Sequence, residues 1–275
     1  MAFRRLSGWL SRSPNFEHLT LTGGDPQAWE HFDKLLDLTG LDFDMQVSTA
    51  LMKRPTSNWR RAFADVRVSL DAITPAMYQS IRGVVRNPVE VLEWLAELDH
   101  PRTSIITTLS EVNAVEFVGL VEAVQAYLPD VRRHMVLPVL GDGVDRRSEP
   151  WWQRLVRTYR GDRKMTFGDE PAYWKGDRCW TRRISCHVKA NGDVYPCCLV
   201  GGEAIETQQQ MRLSGGLSSW KSDVAFDRWW KGLHDGGAPP QCYEDNDVCR
   251  KVCQYKQARL NHLAEAAQAT RLAMP

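Results

Sequence analysis

All seven cysteines of this chain lie between Cys179 and Cys253, and residues 1–178 contain none. They stand at 179, 186, 197, 198, 242, 249 and 253. An odd count with no secretory signal argues against a disulfide framework, and thiols clustered in a reducing compartment are more often metal ligands. The spacing is Cys179-x6-Cys186-x10-Cys197, then Cys242-x6-Cys249-x3-Cys253. Zinc ribbons pair two close CxxC units, which this chain lacks, and unequal wide loops suit a larger iron–sulfur cluster. Four thiolates hold one cluster, and seven cannot fill two. His187, beside Cys186, is an alternative ligand that four cysteines make unnecessary.

Ahead of the cysteines, strand-like and helix-like segments alternate. His18–Thr22 is β-rich and ends in Gly23-Gly24-Asp25. Residues 28–38 have helical spacing, 44–49 read as a strand, and 58–63 as a short helix. Asp65–Leu70 is a further strand, followed by Asp71. Thr74-Pro75 and Asn87-Pro88 each put a capping side chain before a proline at the first helical position. A strand over 103–109, a helix over 113–127 and a strand over 131–140 complete the series. This β-α-β-α order predicts an α/β fold with a parallel sheet and right-handed crossovers, as an open sheet or a partial (β/α) barrel.

Residues 141–178, broken by glycines and prolines and carrying Trp151, Trp152 and Trp174, read as a linker packed by its aromatics. Asn191-Gly192 then predicts a hairpin, with 184–189 and 193–195 as its arms. Helices are expected over 220–233 and 254–272. The expected organisation is a partial barrel over 1–140, the linker over 141–178 and a cysteine-rich domain over 179–275. The 11 tryptophans are read as core and linker packing.

Net charge is +1, with charged residues at 25%. That gives no electrostatic case for nucleic acid or a membrane surface. No apolar run is long enough to span a bilayer. The N-terminus, with Arg4, Arg5 and Arg12, fits a transit peptide loosely. It reads more simply as an amphipathic helix with Phe3, Leu6, Trp9 and Leu10 on one face, and a cytoplasmic protein is expected.

Asn191-Gly192-Asp193-Val194-Tyr195-Pro196-Cys197-Cys198, with Cys179 before it and Cys249-x3-Cys253 after it, resembles the SPASM/twitch domain of radical S-adenosylmethionine (SAM) enzymes. Leu21-Thr22-Gly23-Gly24-Asp25-Pro26 is similar to that family's Gly-Gly-Glu motif. Val68-Ser69-Leu70-Asp71 with Tyr78 and Ile81-Arg82-Gly83 is similar to its fourth strand and following helix. The resemblance covers roughly residues 18–253. It implies a truncated radical-SAM-like barrel and one auxiliary-type [4Fe–4S] cluster on Cys179, Cys186, Cys197 and Cys253, with Cys249 and Cys242 as alternates. Cys198 points away from Cys197, because strand side chains alternate.

The resemblance also implies a vestigial SAM site at Gly23, Gly24, Asp25, Ser69, Asp71 and Arg82, and a peptide or protein partner. All but Ser69 have a plainer reading: a tight turn for the glycines, a helix cap for Asp25, a turn residue for Asp71 and an ion-pair partner for Arg82. The family's CxxxCxxC loop, which supplies the SAM-cleaving cluster, has no counterpart before residue 179. No space for its strand is expected upstream of His18. The expectation is a binding or structural module with no catalytic residues of its own. The alternative is an enzyme whose cysteine loop comes from another polypeptide or from a missed upstream segment.

Overall fold

The computed structural model of the chain describes residues 18–36, 43–139 and 146–168, together with the short strands at 187–188 and 194–195. Six strands form one sheet: β1 (His18–Leu21), β2 (Asp44–Thr49), β3 (Asp65–Ser69), β4 (Thr103–Leu109), β5 (Arg133–Pro138) and β6 (Met165–Phe167). They lie side by side in chain order and every pairing is parallel. Right-handed crossovers that always step the same way put every connection on one face of a sheet, which is the winding of a (β/α) barrel.

The helices that fill the crossovers are short at first: α1 (Asp33–Leu36) and α2 (Trp59–Ala62). Longer ones follow: α3 (Pro75–Arg82), α4 (Pro88–Leu98), α5 (Phe117–Tyr127) and α6 (Pro150–Tyr159). The caps explain where α3 and α4 begin. The Thr74 hydroxyl accepts from the Met77 N–H, the Asn87 side chain accepts from the Val89 N–H, and a proline opens each helix. α3 ends on Gly83 at φ +70°, a left-handed cap that glycine adopts without strain.

Strand alternation sorts the two faces. Val47, Val66, Val68, Leu70, Ile105, Leu109 and Val136 are fully buried. Their strand neighbours Gln46, Ser48, Arg67 and Ser69 are half-buried, and with Ser104 form a polar stripe. The apolar side packs on helices. Phe32, Trp59 and Phe63 form an aromatic cluster with centroids 5.1–6.1 Å apart. Leu109, Phe117, Val121, Val136, Trp152 and Val156 form the core further along.

Three sequence expectations change. Residues 28–38 are not one helix, because the chain makes a 3-10 turn at Pro26–Ala28 and resumes as α1 at Asp33. Residues 113–127 begin with a 3-10 turn at Ala114–Glu116 before α5. The stretch read as a linker holds α6 and the sixth strand, with Trp152 buried against Phe167 at 5.9 Å and Trp151 at 5.8 Å. Its aromatics do pack, but as part of the sheet's core. The glycines and prolines mark its ends.

Contacts gather Leu10–Asp169 into one compact unit, and the rest of the chain forms another. In the latter, His187–Val188 pairs antiparallel with Val194–Tyr195, in the place of the expected hairpin. The cysteines, the expected Asn191-Gly192 turn and the expected helices over 220–233 and 254–272 lie outside the described residues.

Candidate functional site

In a singly wound parallel sheet the loops after the strands gather at one end, where sites in such folds form. Here the first two of those loops are bound together by Asp25, and the second is also held by Arg86 from beyond α3. Asp25 follows β1. Its Oδ1 accepts from the Gln27 N–H at 2.9 Å and the Thr49 hydroxyl at 2.9 Å. Its Oδ2 accepts from the Ala50 N–H at 3.1 Å and the Met52 N–H at 3.2 Å. Asp25 therefore caps its own turn and also holds the loop after β2. Gln27, buried beside it, donates to the Lys53 carbonyl at 2.8 Å and accepts from the Lys53 N–H at 3.2 Å.

That loop carries Leu51 at φ +57°, a left-handed conformation that costs a leucine about 1 kcal/mol. The Thr49 hydroxyl accepts from the Leu51 N–H at 2.7 Å, and Arg86 donates to the carbonyls of Leu51 and Met52. Arg86 also lies 4.8 Å from the centroid of the Trp94 ring.

Asp71, two residues past β3, is buried. Its Oδ1 accepts from the Thr108 N–H at 2.7 Å and its Oδ2 is ion-paired with Arg82. Burial pushes the Asp71 carboxyl up, and the Arg82 charge and the Thr108 hydrogen bond only partly offset it, leaving it above the usual carboxylate range. Asn113 ties the same segment to β4, donating to the carbonyls of Asp71 at 2.8 Å and Thr108 at 2.9 Å. Glu116 accepts from the N–H groups of Ile73 and Thr74 and from the Thr74 hydroxyl. Burial works to raise its carboxyl, but these hydrogen bonds outweigh it and hold it below the ordinary value.

Tyr78, on α3, is fully buried. Burial pushes its phenol up, and Arg82, Asp71, Arg86 and Asp25 all act on it electrostatically. Its hydroxyl and the Arg82 Nε are buried without a hydrogen-bond partner among the described residues. Among the described residues a Cβ on Gly23 or Gly24 meets nothing within 4 Å, and Gly23 at φ +141° requires glycine. Ser69 is half-buried at the end of β3.

Of the expected site residues, Gly23, Gly24, Asp25, Ser69, Asp71 and Arg82 thus all stand at the ends of β1 and β3 or on the helix after β3. Both Asp25 oxygens are occupied within the protein, and Arg82 is the partner of a buried acid. Thr49, Arg86, Asn113 and Glu116 were not anticipated. Thr49 lies 24 residues from Asp25, Arg86 lies 35 and 34 from the Leu51 and Met52 carbonyls it holds, and Asn113 and Glu116 lie 42 and 43 from the Asp71 and Ile73 backbone they brace, so only the fold brings them close.

Behind the site, the Thr107 hydroxyl gives its only proton to the Leu70 carbonyl at 2.7 Å, so the His134 Nε2, 2.8 Å away, is the donor to it. Burial lowers the His134 pKa to about 4. Among the described residues no three His, Cys, Asp or Glu side chains converge on a metal position. No described helix is long and apolar enough to cross a membrane.

No protein-family profile and no curated protein sequence matches the chain. Solved structures do. Streptococcus suis SuiB bound to S-adenosylmethionine matches at TM-score 0.53 and 16% identity, over 79% of this chain and 56% of that one. SuiB bound to precursor peptide SuiA matches at TM-score 0.51 and 14% identity, over 87% and 60%. SuiB alone gives TM-score 0.51 and 14% identity, over 78% and 57%. The likeness is one of fold, and the chain spans just over half the length of the SuiB chain.

Proposed function

We propose that this chain is an iron–sulfur protein of the radical SAM type that binds a SAM-like ligand weakly at the mouth of its sheet. Residues 1–275 do not cleave that ligand by themselves. The observation that carries the reading is the Asp71–Arg82 pair after β3 and the loop after β2 that Asp25 and Arg86 hold, with nothing among the described residues within 4 Å of a Cβ at Gly23 or Gly24. Two neighbours in fold support it, one bound to S-adenosylmethionine and one to a precursor peptide.

The mouth fits a small zwitterionic ligand. The open backbone at Gly23-Gly24 lets it approach closely, the Ser69 hydroxyl offers a donor, and the partly exposed Arg82 guanidinium, paired with Asp71, offers positive charge for a carboxylate. Asp25 and Arg86 act as positioning residues, because their hydrogen bonds fix the loops. When bound with a reducing cluster, SAM would supply a carbon-centred radical. Nothing in residues 1–178 provides the thiolates such a cluster needs. The thiolates of Cys179, Cys186, Cys197 and Cys253 would hold one [4Fe–4S] cluster with no iron left open, so that cluster does not substitute. The chain then works as a binding module for a peptide or protein.

The second reading is an enzyme whose three-thiolate loop comes from outside residues 1–275. Full-length protein, purified anaerobically and reduced with dithionite, separates the two. Equilibrium dialysis with labelled SAM should show binding that Arg82→Ala weakens, with no 5′-deoxyadenosine above the protein-free control. Sustained formation of that nucleoside by the chain alone would contradict the proposal. Its formation only after a cysteine-bearing polypeptide is added would establish the second reading. No binding by the wild-type chain would remove the SAM site.

A further inference from the structure

Asp71 and Arg82 are paired at the mouth but unequally exposed. The Arg82 side chain is 27% exposed and the Asp71 side chain 4%, so a ligand can reach the guanidinium and not the carboxylate behind it. Asp71 has few partners for its charge. Its Oδ1 accepts from the Thr108 N–H at 2.7 Å, and its Oδ2 is paired with Arg82. Asn113 donates to the Asp71 backbone carbonyl rather than to the carboxylate.

The elements packed against Asp71 bring the remaining charges. On α3, beside Arg82, stands Tyr78, whose phenol burial pushes further up and so keeps neutral. The 3-10 turn before α5 carries Glu116, whose oxygens are spent on Ile73 and Thr74. The turn after β4 carries Glu111, which is exposed. Asp25 and Arg86 are bound to the loop after β2. Among the described residues Arg82 is thus the one cation paired with Asp71.

A ligand carboxylate on Arg82 changes that balance. It either draws the guanidinium outward or shares it, and in both cases sets a second negative charge close to a buried one. Two carboxylates that compete for one cation in a desolvated site do not both stay ionised. The buried one, which has no water to fall back on, is the one that takes the proton. Burial has already raised the Asp71 carboxyl above the ordinary range, so the step is a short one.

We propose that the mouth takes up a proton from solvent, on the Asp71 Oδ2, when a carboxylate ligand settles on Arg82. The inference rests on the reading of the mouth as a SAM site and adds how pH regulates it. The bound state holds more protons than the free one, so affinity falls as pH rises.

The test is calorimetric titration of the full chain at about pH 6 with SAM and with its decarboxylated analogue, each in two buffers of different ionisation enthalpy. The dependence of the heat on the buffer counts the protons. SAM should bring about half a proton or more per ligand, and its affinity should fall about threefold or more between about pH 6 and pH 7. The analogue without a carboxylate should bring none, and neither should SAM with Asp71→Asn. Should Asp71→Asn fail to fold, the two ligands on the wild-type chain still decide. SAM binding without proton uptake, or uptake that persists in Asp71→Asn or with the analogue, would overturn the inference and leave the SAM site standing. No SAM binding at all would remove the site and the inference together.

Discussion

The sheet unit and the cysteine region divide the chemistry of this chain between them. Residues 18–168 contain no thiol. They are held by apolar packing behind the sheet and by carboxylates whose oxygens are spent on backbone N–H groups, as with Asp25 and Glu116. Residues 179–253 carry every thiol, with glycine-rich sequence between them. What residues 18–168 themselves bring to the sheet's mouth is oxygen and nitrogen groups, whereas under the proposed function the metal belongs with the cysteines. The two regions should therefore fail under different insults.

The largest expected effect is metal removal. Ligand thiolates release their binding free energy as folding free energy. Chelation or oxidation of the iron should make residues 179–253 sensitive to limited proteolysis while fragments spanning 18–168 survive. Equal protease resistance of apo- and holo-protein would dissolve the contrast between the regions.

Next comes the sheet's own core. Trp152→Ala should cost about 3–5 kcal/mol, read as a lower urea midpoint at constant slope, because Trp152 is buried between Trp151 and Phe167. If residues 150–167 were only a linker, the loss would be below about 1 kcal/mol.

A somewhat smaller effect comes from pH. His134 titrates at about 4 in the fold and at 6.5 in an ordinary setting. The unfolded chain thus binds more protons between those values. The stabilisation is complete above pH 6.5 and is lost as pH falls towards 4, by about 3 kcal/mol. His134→Gln should flatten that part of the stability profile, and an unchanged profile would show that His134 is not buried neutral.

The smallest effect separates two neighbouring glycines. Gly23→Ala should cost about 1 kcal/mol because of its positive φ. Gly24→Ala should leave stability within about 0.5 kcal/mol, since a methyl there meets open space. If Gly24→Ala weakens SAM binding without changing stability, the open space at the mouth is where the ligand sits.

Much of the sheet was legible in sequence, and for a stated reason. Residues 44–49 and 103–109 form strands over the predicted spans, and 88–98 a helix, because strand alternation and an Asn-Pro start are local signals. Asp25 does cap a turn, but the helix expected from residue 28 starts only at Asp33, because the turn at Pro26–Ala28 takes its shape from partners far along the chain, with Gln27 bound to the backbone of Lys53. β6 was missed because three residues behind Gly161 give too short a pattern to read. At the mouth, Gly23, Asp25, Ser69 and Asp71 were visible as residues following strands. Their braces were not, since nothing near Arg86 or Glu116 in sequence signals a role 34 to 43 residues away.

The central claim is that the cysteines hold one iron–sulfur cluster, and metal analysis of anaerobically purified full-length protein tests it most directly. The account predicts a brown protein with about four irons and four sulfides per chain, most of them lost in Cys197→Ser and retained in Cys198→Ser. A colourless protein with one zinc per chain would contradict it.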